Sequence, residues 1–255
     1  MFRTLVFSAF GAGLAVCLTV SALQLVTTEP LILQAETFEG EAVAADTHQA
    51  AASKRSPDQD ASVHVHDDGS AHIHGEGEWG PADGLERAAY TALANLVVGF
   101  SVSLMLLGAM VLRGDRIDAR QGLLWGIAGF VAASLLPAFG LPPELPGTPA
   151  ADVVDRQLWW IGTALASAAG IALLVFGRHW GLVGLGLVLL IGPHLIGAPQ
   201  PPSHDVAYPR ALAGEFVVAS IVVSAMLWSL SGLTAGWLHQ RLSHDDRAFA
   251  DRATR

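Results

Sequence analysis

Of 255 residues, 52% are hydrophobic and only 15% charged, and the mean hydropathy is +0.45. This balance is too apolar for a soluble domain and describes an all-α polytopic membrane protein. The single cysteine, Cys17, excludes an internal disulfide framework or a Cys-rich zinc ribbon, and no Gly-x-x-x-x-Gly-Lys-Ser/Thr phosphate loop is present to make the chain an ATPase. No enzymatic activity, no tightly bound cofactor and no nucleic-acid partner are expected. The net charge of −9 is concentrated in one place: residues 29–87 hold thirteen acidic side chains against Lys54, Arg55 and Arg87, a local balance of −10.

In chain order, residues 1–28 form the first unit. Positions 5–26 are continuously apolar, which is longer than a signal-peptide core and fits a retained transmembrane helix. Residues 29–87 change character to Glu, Asp, Ala, Ser, Gly and His and form a long extracytoplasmic loop. Its middle, 40–62, lacks periodicity and is expected to be disordered. At its end, Trp79 followed by turn formers and the Glu86-Arg87 pair predicts an interface-anchored approach to the next helix.

Within that loop, Val63-His64-Val65-His66-Asp67-Asp68-Gly69-Ser70-Ala71-His72-Ile73-His74 holds four of the ten histidines. The segment is nearly mirror-symmetric about Gly69. A Gly-containing turn between two period-2 runs would set His64 opposite His74 and His66 opposite His72, with all four imidazoles on one face. Imidazole suits divalent transition metals, so His64, His66, His72 and His74 are predicted to form a metal site beside Asp67, Asp68, Glu76 and Glu78. The alternative is a solvated polar loop that binds nothing.

Residues 88–240 then read as a five-helix bundle, with apolar runs near 88–112, 122–141, 158–176, 180–196 and 211–238, followed by a tail at 241–255. Only Gly177, Arg178 and His179 separate the runs at 158–176 and 180–196, which predicts an antiparallel hairpin. With the first helix this makes six transmembrane spans. Arg3, Arg113, Arg116, Arg120, Arg178, Arg241, Arg247, Arg252 and Arg255 fall on one side and only Arg156 and Arg210 on the other. The positive-inside rule then puts both termini in the cytoplasm and the His-rich loop outside the inner membrane. Gly11, Gly13, Gly122, Gly126, Gly129, Gly162, Gly170, Gly184 and Gly186 are predicted helix-packing positions.

Polar groups at bilayer depth are costly and therefore functional candidates. Counted from helix ends near Ala88, Gln200 and Tyr208, Asn95, His194 and Glu215 each lie six or seven residues inward, about 10 Å below the outer surface. Glu29 and His204 sit near the mouth above them. Pro193 removes a helical hydrogen bond beside His194, which predicts a kink there. Each group has a simpler reading: Asn95 as a helix–helix contact, His194 as a hydrogen-bonded neighbour, Glu215 as a partner of Arg210. Trp159 and Trp160 read as aromatic-belt anchors.

Four stretches give the chain a resemblance to a known family: 21–26 continuing through 29–33; Glu78-Trp79 with 82–87; Phe139-Gly140-Leu141-Pro142-Pro143-Glu144-Leu145-Pro146-Gly147; and Pro193-His194-Leu195-Ile196-Gly197-Ala198-Pro199-Gln200-Pro201. On these it resembles the CbtA family of cobalt transporter subunits. The resemblance implies cobalt uptake and a small single-span, His-bearing partner of the CbtB kind within the same bilayer. It carries over no ligand residues. The expected function is a membrane subunit that collects a divalent metal, Co(II) by the resemblance but Ni(II) or Zn(II) by ligand chemistry alone, on the outer loop and passes it among the second, fifth and sixth spans. The alternatives are a metal sensor or scaffold without transport, or a haem or redox membrane protein; the metal, energy source and oligomeric state are not readable from sequence.

Overall fold

The computed structural model describes residues 2–38, 81–82, 84–114 and 116–253, with side chains to 244, and among these it contains helices and no strand. The helices are α1 (Phe2–Val26), α2 (28–38), α3 (Leu85–Arg113), α4 (Ala119–Phe130), a π-helical segment (Val131–Leu135), α5 (Leu136–Ala138), α6 (Val153–Phe176), α7 (Trp180–Ile196) and α8 (Arg210–Ala253). Five stretches are long and apolar enough to cross a membrane: Phe2–Val26, Leu85–Arg113, Ala119–Ala138, Val153–Phe176 and Arg210–His244. The remaining expected span, Trp180–Ile196, has 17 residues and a length of about 26 Å, somewhat short of a ~30 Å hydrocarbon core. α8 runs on without a break into the region expected to be a tail.

Local chemistry sets the helix ends. Asp118 caps α4 by accepting from the Gln121 amide at 2.8 Å, and Asp152 caps α6 by accepting from Val154 N at 2.8 Å. α3 stops at Gly114, whose φ of 78° is the left-handed geometry that favours glycine. α1 gives way to α2 at Thr27, three residues before Pro30, which cannot donate to the carbonyl of Val26. The π-segment ends two residues before Pro137: Leu136 N–H reaches back five residues to Val131 O, and Pro137 has no N–H to continue the series. Widening the turn also relieves the clash of the proline ring with the preceding turn.

α1, α3, α4 and α8 form one packed group, with α8 in contact with the other three. Two places show how closely the backbones approach. A Cβ at Gly122 would lie 2.0 Å from the carbonyl oxygen of Gly232, and one at Gly236 would lie 2.3 Å from that of Asp118. Gly13 meets the backbone of Phe100 in the same manner at 2.9 Å. Gly11, Gly122, Gly126, Gly129, Gly170 and Gly186 are packing positions as expected, whereas Gly162 and Gly184 have nothing within 4 Å. The core of this group is Ala9, Ala12, Leu107, Met110 and Ala235.

α6 attaches to the group through the π-segment, α5 and α4, and α7 has α6 as its neighbour: no Cα of α7 comes within 8 Å of one on α3 or α8. The hairpin expected at 177–179 is present. At one end of the bundle the 139–152 and 197–209 loops meet α2. Ala35, Leu145, Tyr208 and Leu212 are buried together, Tyr208 Oη bonds Thr148 Oγ1, and Arg87 grips Glu36 at 2.6 and 3.3 Å. At the opposite end Arg113 lies over the ring of Phe176, 3.4 Å from its centroid.

Candidate functional site: a histidine pocket beneath the 139–152 loop

His64, His66, His72 and His74, together with residues 40–62 and Trp79, lie outside the described residues. The remaining candidates are placed individually. Asn95, buried on α3, donates from Nδ2 to Gln24 Oε1 at 2.6 Å and Ser21 Oγ at 2.9 Å, both on α1. It is a hydrogen-bonded helix–helix contact. Glu215 is exposed on α8, Glu29 is half-buried at the start of α2, and His204 is exposed in the 197–209 loop. The shared depth inferred from helix ends therefore does not bring Asn95, His194 and Glu215 together, because α7 stands apart from α3 and α8. Among the described residues no three His, Cys, Asp or Glu side chains form a group able to hold a metal ion.

His194 is in a different environment. Pro193 lies inside α7, and the helix ends two residues past His194, where Gly197 N donates back to Pro193 O at 3.1 Å. The imidazole projects into a cavity of about 420 Å³ that is walled by Phe139, Trp159 and Gln200 and floored by Gly140 and Ala198. Both aromatic rings meet it edge-on: Phe139 with centroids 6.3 Å apart at 90°, Trp159 with centroids 6.1 Å apart at 71°. The backbone at 140 has to be bare, since a Cβ there would come within 2.3 Å of the Trp159 ring and 3.0 Å of Ala198 Cβ.

Two polar atoms of this pocket, His194 Nε2 and Trp159 Nε1, are buried with no hydrogen-bond partner. A buried donor or acceptor left unpaired costs about 1–3 kcal/mol, so both nitrogens would be stabilised by a polar group that reached them. Their chemistry is unequal. An imidazole nitrogen ligates a divalent metal or accepts a proton, whereas an indole N–H only donates. The pocket thus offers one inner-sphere ligand and one donor for an oxygen bound near it. A cation held by one imidazole retains most of its water and leaves readily.

A larger cavity of about 700 Å³ lies on the other side of α6, between the π-segment, Pro142-Pro143 and Ile221. Its charged wall is already neutralised, with Arg156 Nη2 on Glu144 Oε2 at 2.7 Å, and none of the unpaired buried atoms belongs to the residues lining it. Trp159 and Gly140 were not singled out as site residues by sequence reasoning. The signal lay in the sequence: Gly140 belongs to the unusual 139–147 stretch, and Trp159 sits beside a second tryptophan at a helix start, which reads equally well as an interface anchor.

Long apolar helices, an α6–α7 hairpin and an imidazole-bearing pocket under a folded loop define a multi-pass membrane protein with a polar site at one end. The chain matches the family described as "Probable cobalt transporter subunit (CbtA)" over residues 2–240 and belongs to it. No curated protein and no solved structure matches the chain.

Proposed function

We propose that this chain is the membrane subunit of a cobalt uptake transporter, in which His64, His66, His72 and His74 capture Co(II) outside the cell membrane and the His194 pocket receives it at the mouth of the bundle. The family match over residues 2–240 carries the reading of cargo. The unpartnered Nε2 of His194 supports the choice of receiving site.

In this arrangement Trp180–Ile196 is a sixth crossing, its short length accommodated by the 197–209 segment folding over it. The arginine-bearing end, with Arg3, Arg113, Arg120, Arg178 and Arg241, faces the cytoplasm together with both termini. The 39–80 segment then runs outside, between α2 and α3. Its negative charge concentrates cations by long-range attraction, and its imidazoles hold them without the retention that thiolates would impose. Glu29 and His204 guide the ion from the loop toward the pocket. Asn95 serves the α1–α3 contact and is no part of the route. A CbtB-like single-span subunit completes the transporter.

Cobalt uptake into cells or vesicles carrying the chain with its partner, compared between wild type and His194→Ala at matched membrane abundance, tests the proposal. A loss of uptake of about tenfold or more is expected. Unchanged uptake would remove the pocket from the mechanism, and absence of cobalt uptake by the wild type would remove the function.

A further inference from the structure

Unpaired buried polar atoms are unevenly distributed among the described residues. Three are Ser103 Oγ on α3 and Ser231 Oγ and His239 Nδ1 on α8, inside the packed group. The other four, His194 Nε2, Trp159 Nε1, Thr163 Oγ1 and Ser167 Oγ, belong to the α6–α7 hairpin. Trp159, Thr163 and Ser167 are spaced i, i+4, i+8 and so share one face of α6. They descend about 12 Å from the pocket into the bilayer.

Helical hydroxyls have a ready alternative to being unpaired, which is the carbonyl four residues back. Ser8, Thr27, Thr91, Ser101 and Thr234 take it in this protein, at 2.5 to 2.9 Å. Thr163 and Ser167 do not, although they are 1% and 0% exposed. They lie on α6 between the positions that meet α7, such as Gly170 against Gly186 O, and those that line the larger cavity, Arg156 and Trp160. The elements that cover α6 apart from α7 are the π-segment, α5 and α4. Just after the π-segment, Pro137 leaves the backbone ladder without a donor.

We infer that the polar route continues from the His194 pocket along this face of α6, over Thr163 and Ser167, and carries a hydrated divalent cation. Hydroxyls and carbonyls can replace outer-sphere water around such an ion without binding it tightly. The route is closed in this conformation: neither Thr163 nor Ser167 borders either cavity described above, and at Gly170 the backbones of α6 and α7 touch, a Cβ there lying 2.8 Å from Gly186 O. The inference rests on the proposed transport function for its direction and cargo, but the water-accessible face of α6 can be tested without cobalt.

Cys17 is the only cysteine of the chain, so a Cys17→Ser background permits single-cysteine labelling of the full-length protein in intact cells. Thr163→Cys and Ser167→Cys are compared with Leu165→Cys, a position 66% exposed on the lipid side of the same helix, using the small cationic reagent 2-aminoethyl methanethiosulfonate. Labelling of both at least tenfold faster than Leu165→Cys is expected. Rates equal to that control would overturn the route. Should one variant fail to reach the membrane, the other and Trp159→Cys read the same face. Rapid labelling in a protein that takes up no cobalt would leave the route standing and remove the transport function. Slow labelling in one that does take up cobalt would remove the route alone.

Discussion

The α1–α3–α4–α8 group and the α6–α7 hairpin follow different rules within one chain. In the first, glycines bring backbones into contact, and a polar group such as Asn95 is met by Ser21 and Gln24. In the second, α7 touches only α6 among the described helices, glycines again bring backbones together at Gly170 and Gly186, and four buried polar groups, an imidazole, an indole and two hydroxyls, lack partners on just two helices, against Ser103, Ser231 and His239 in the larger first group. Satisfied polar groups at bilayer depth hold helices together; unsatisfied ones there are tolerated where a passing ligand or water completes them. On the proposed function, the first region is the frame and the second the working part, attached to it through the π-segment, α5 and α4.

The largest effect expected from breaking this contrast is at the glycine contact. Gly122→Leu or Gly232→Val places a side chain where a carbonyl oxygen already lies, 2.0 Å from the new Cβ in either case. Membrane abundance should collapse, whereas Gly162→Ala and Gly184→Ala, with nothing within 4 Å, should leave it unchanged; immunoblotting of membrane fractions separates the two. Next in size is His194→Ala, which should cut cobalt uptake about tenfold or more at normal abundance. Asn95→Ala should do the reverse. Losing the bonds to Ser21 and Gln24 is expected to destabilise the fold by about 1–3 kcal/mol, seen as a lower unfolding temperature in detergent, with uptake per molecule retained. If Asn95→Ala abolished uptake in a stable protein, the division between frame and working part would fail.

Replacing His64, His66, His72 and His74 together by Ala should lower uptake a few-fold at scarce cobalt and not at saturating cobalt. Protonated imidazole cannot ligate, so the wild-type advantage over this variant should fade as pH drops below about 6.5, the ordinary histidine range. Uptake curves at several cobalt concentrations and pH values measure this directly. The smallest expected change is that of Glu36→Gln. The Arg87–Glu36 pair is about one-third exposed, and such pairs contribute up to about 1 kcal/mol, so thermal stability should shift slightly and uptake hardly at all.

Much of the frame was legible from composition and spacing. Six apolar runs correspond to the helices, the α6–α7 hairpin lies where Gly177-Arg178-His179 predicted it, and most of the glycines named from sequence are packing positions. The partners of those glycines were not legible: Gly232 and Gly236 escaped notice because a glycine's value depends on what faces it across the interface. The candidate site was half legible. Proline next to a histidine in an apolar run marked His194, but an estimate of depth has one dimension, and it grouped His194 with Asn95 and Glu215 on helices that do not meet α7.

By itself, then, the sequence determined that the chain is a helical membrane protein, roughly where its apolar helices lie, and which ends carry the arginines, while it read 29–38 as loop and 241–253 as tail, where the structure has helix. What it determined follows from hydrophobicity, capping residues and prolines, all properties of neighbours along the chain. Only the tertiary structure decided that His194 meets Trp159 and Phe139, that Gly140 makes room for them, and that Thr163 and Ser167 lie buried below. Those facts depend on the rotation of each helix about its axis and on which helices touch, and a run of apolar residues that is hydrophobic on nearly every face does not encode either in its period.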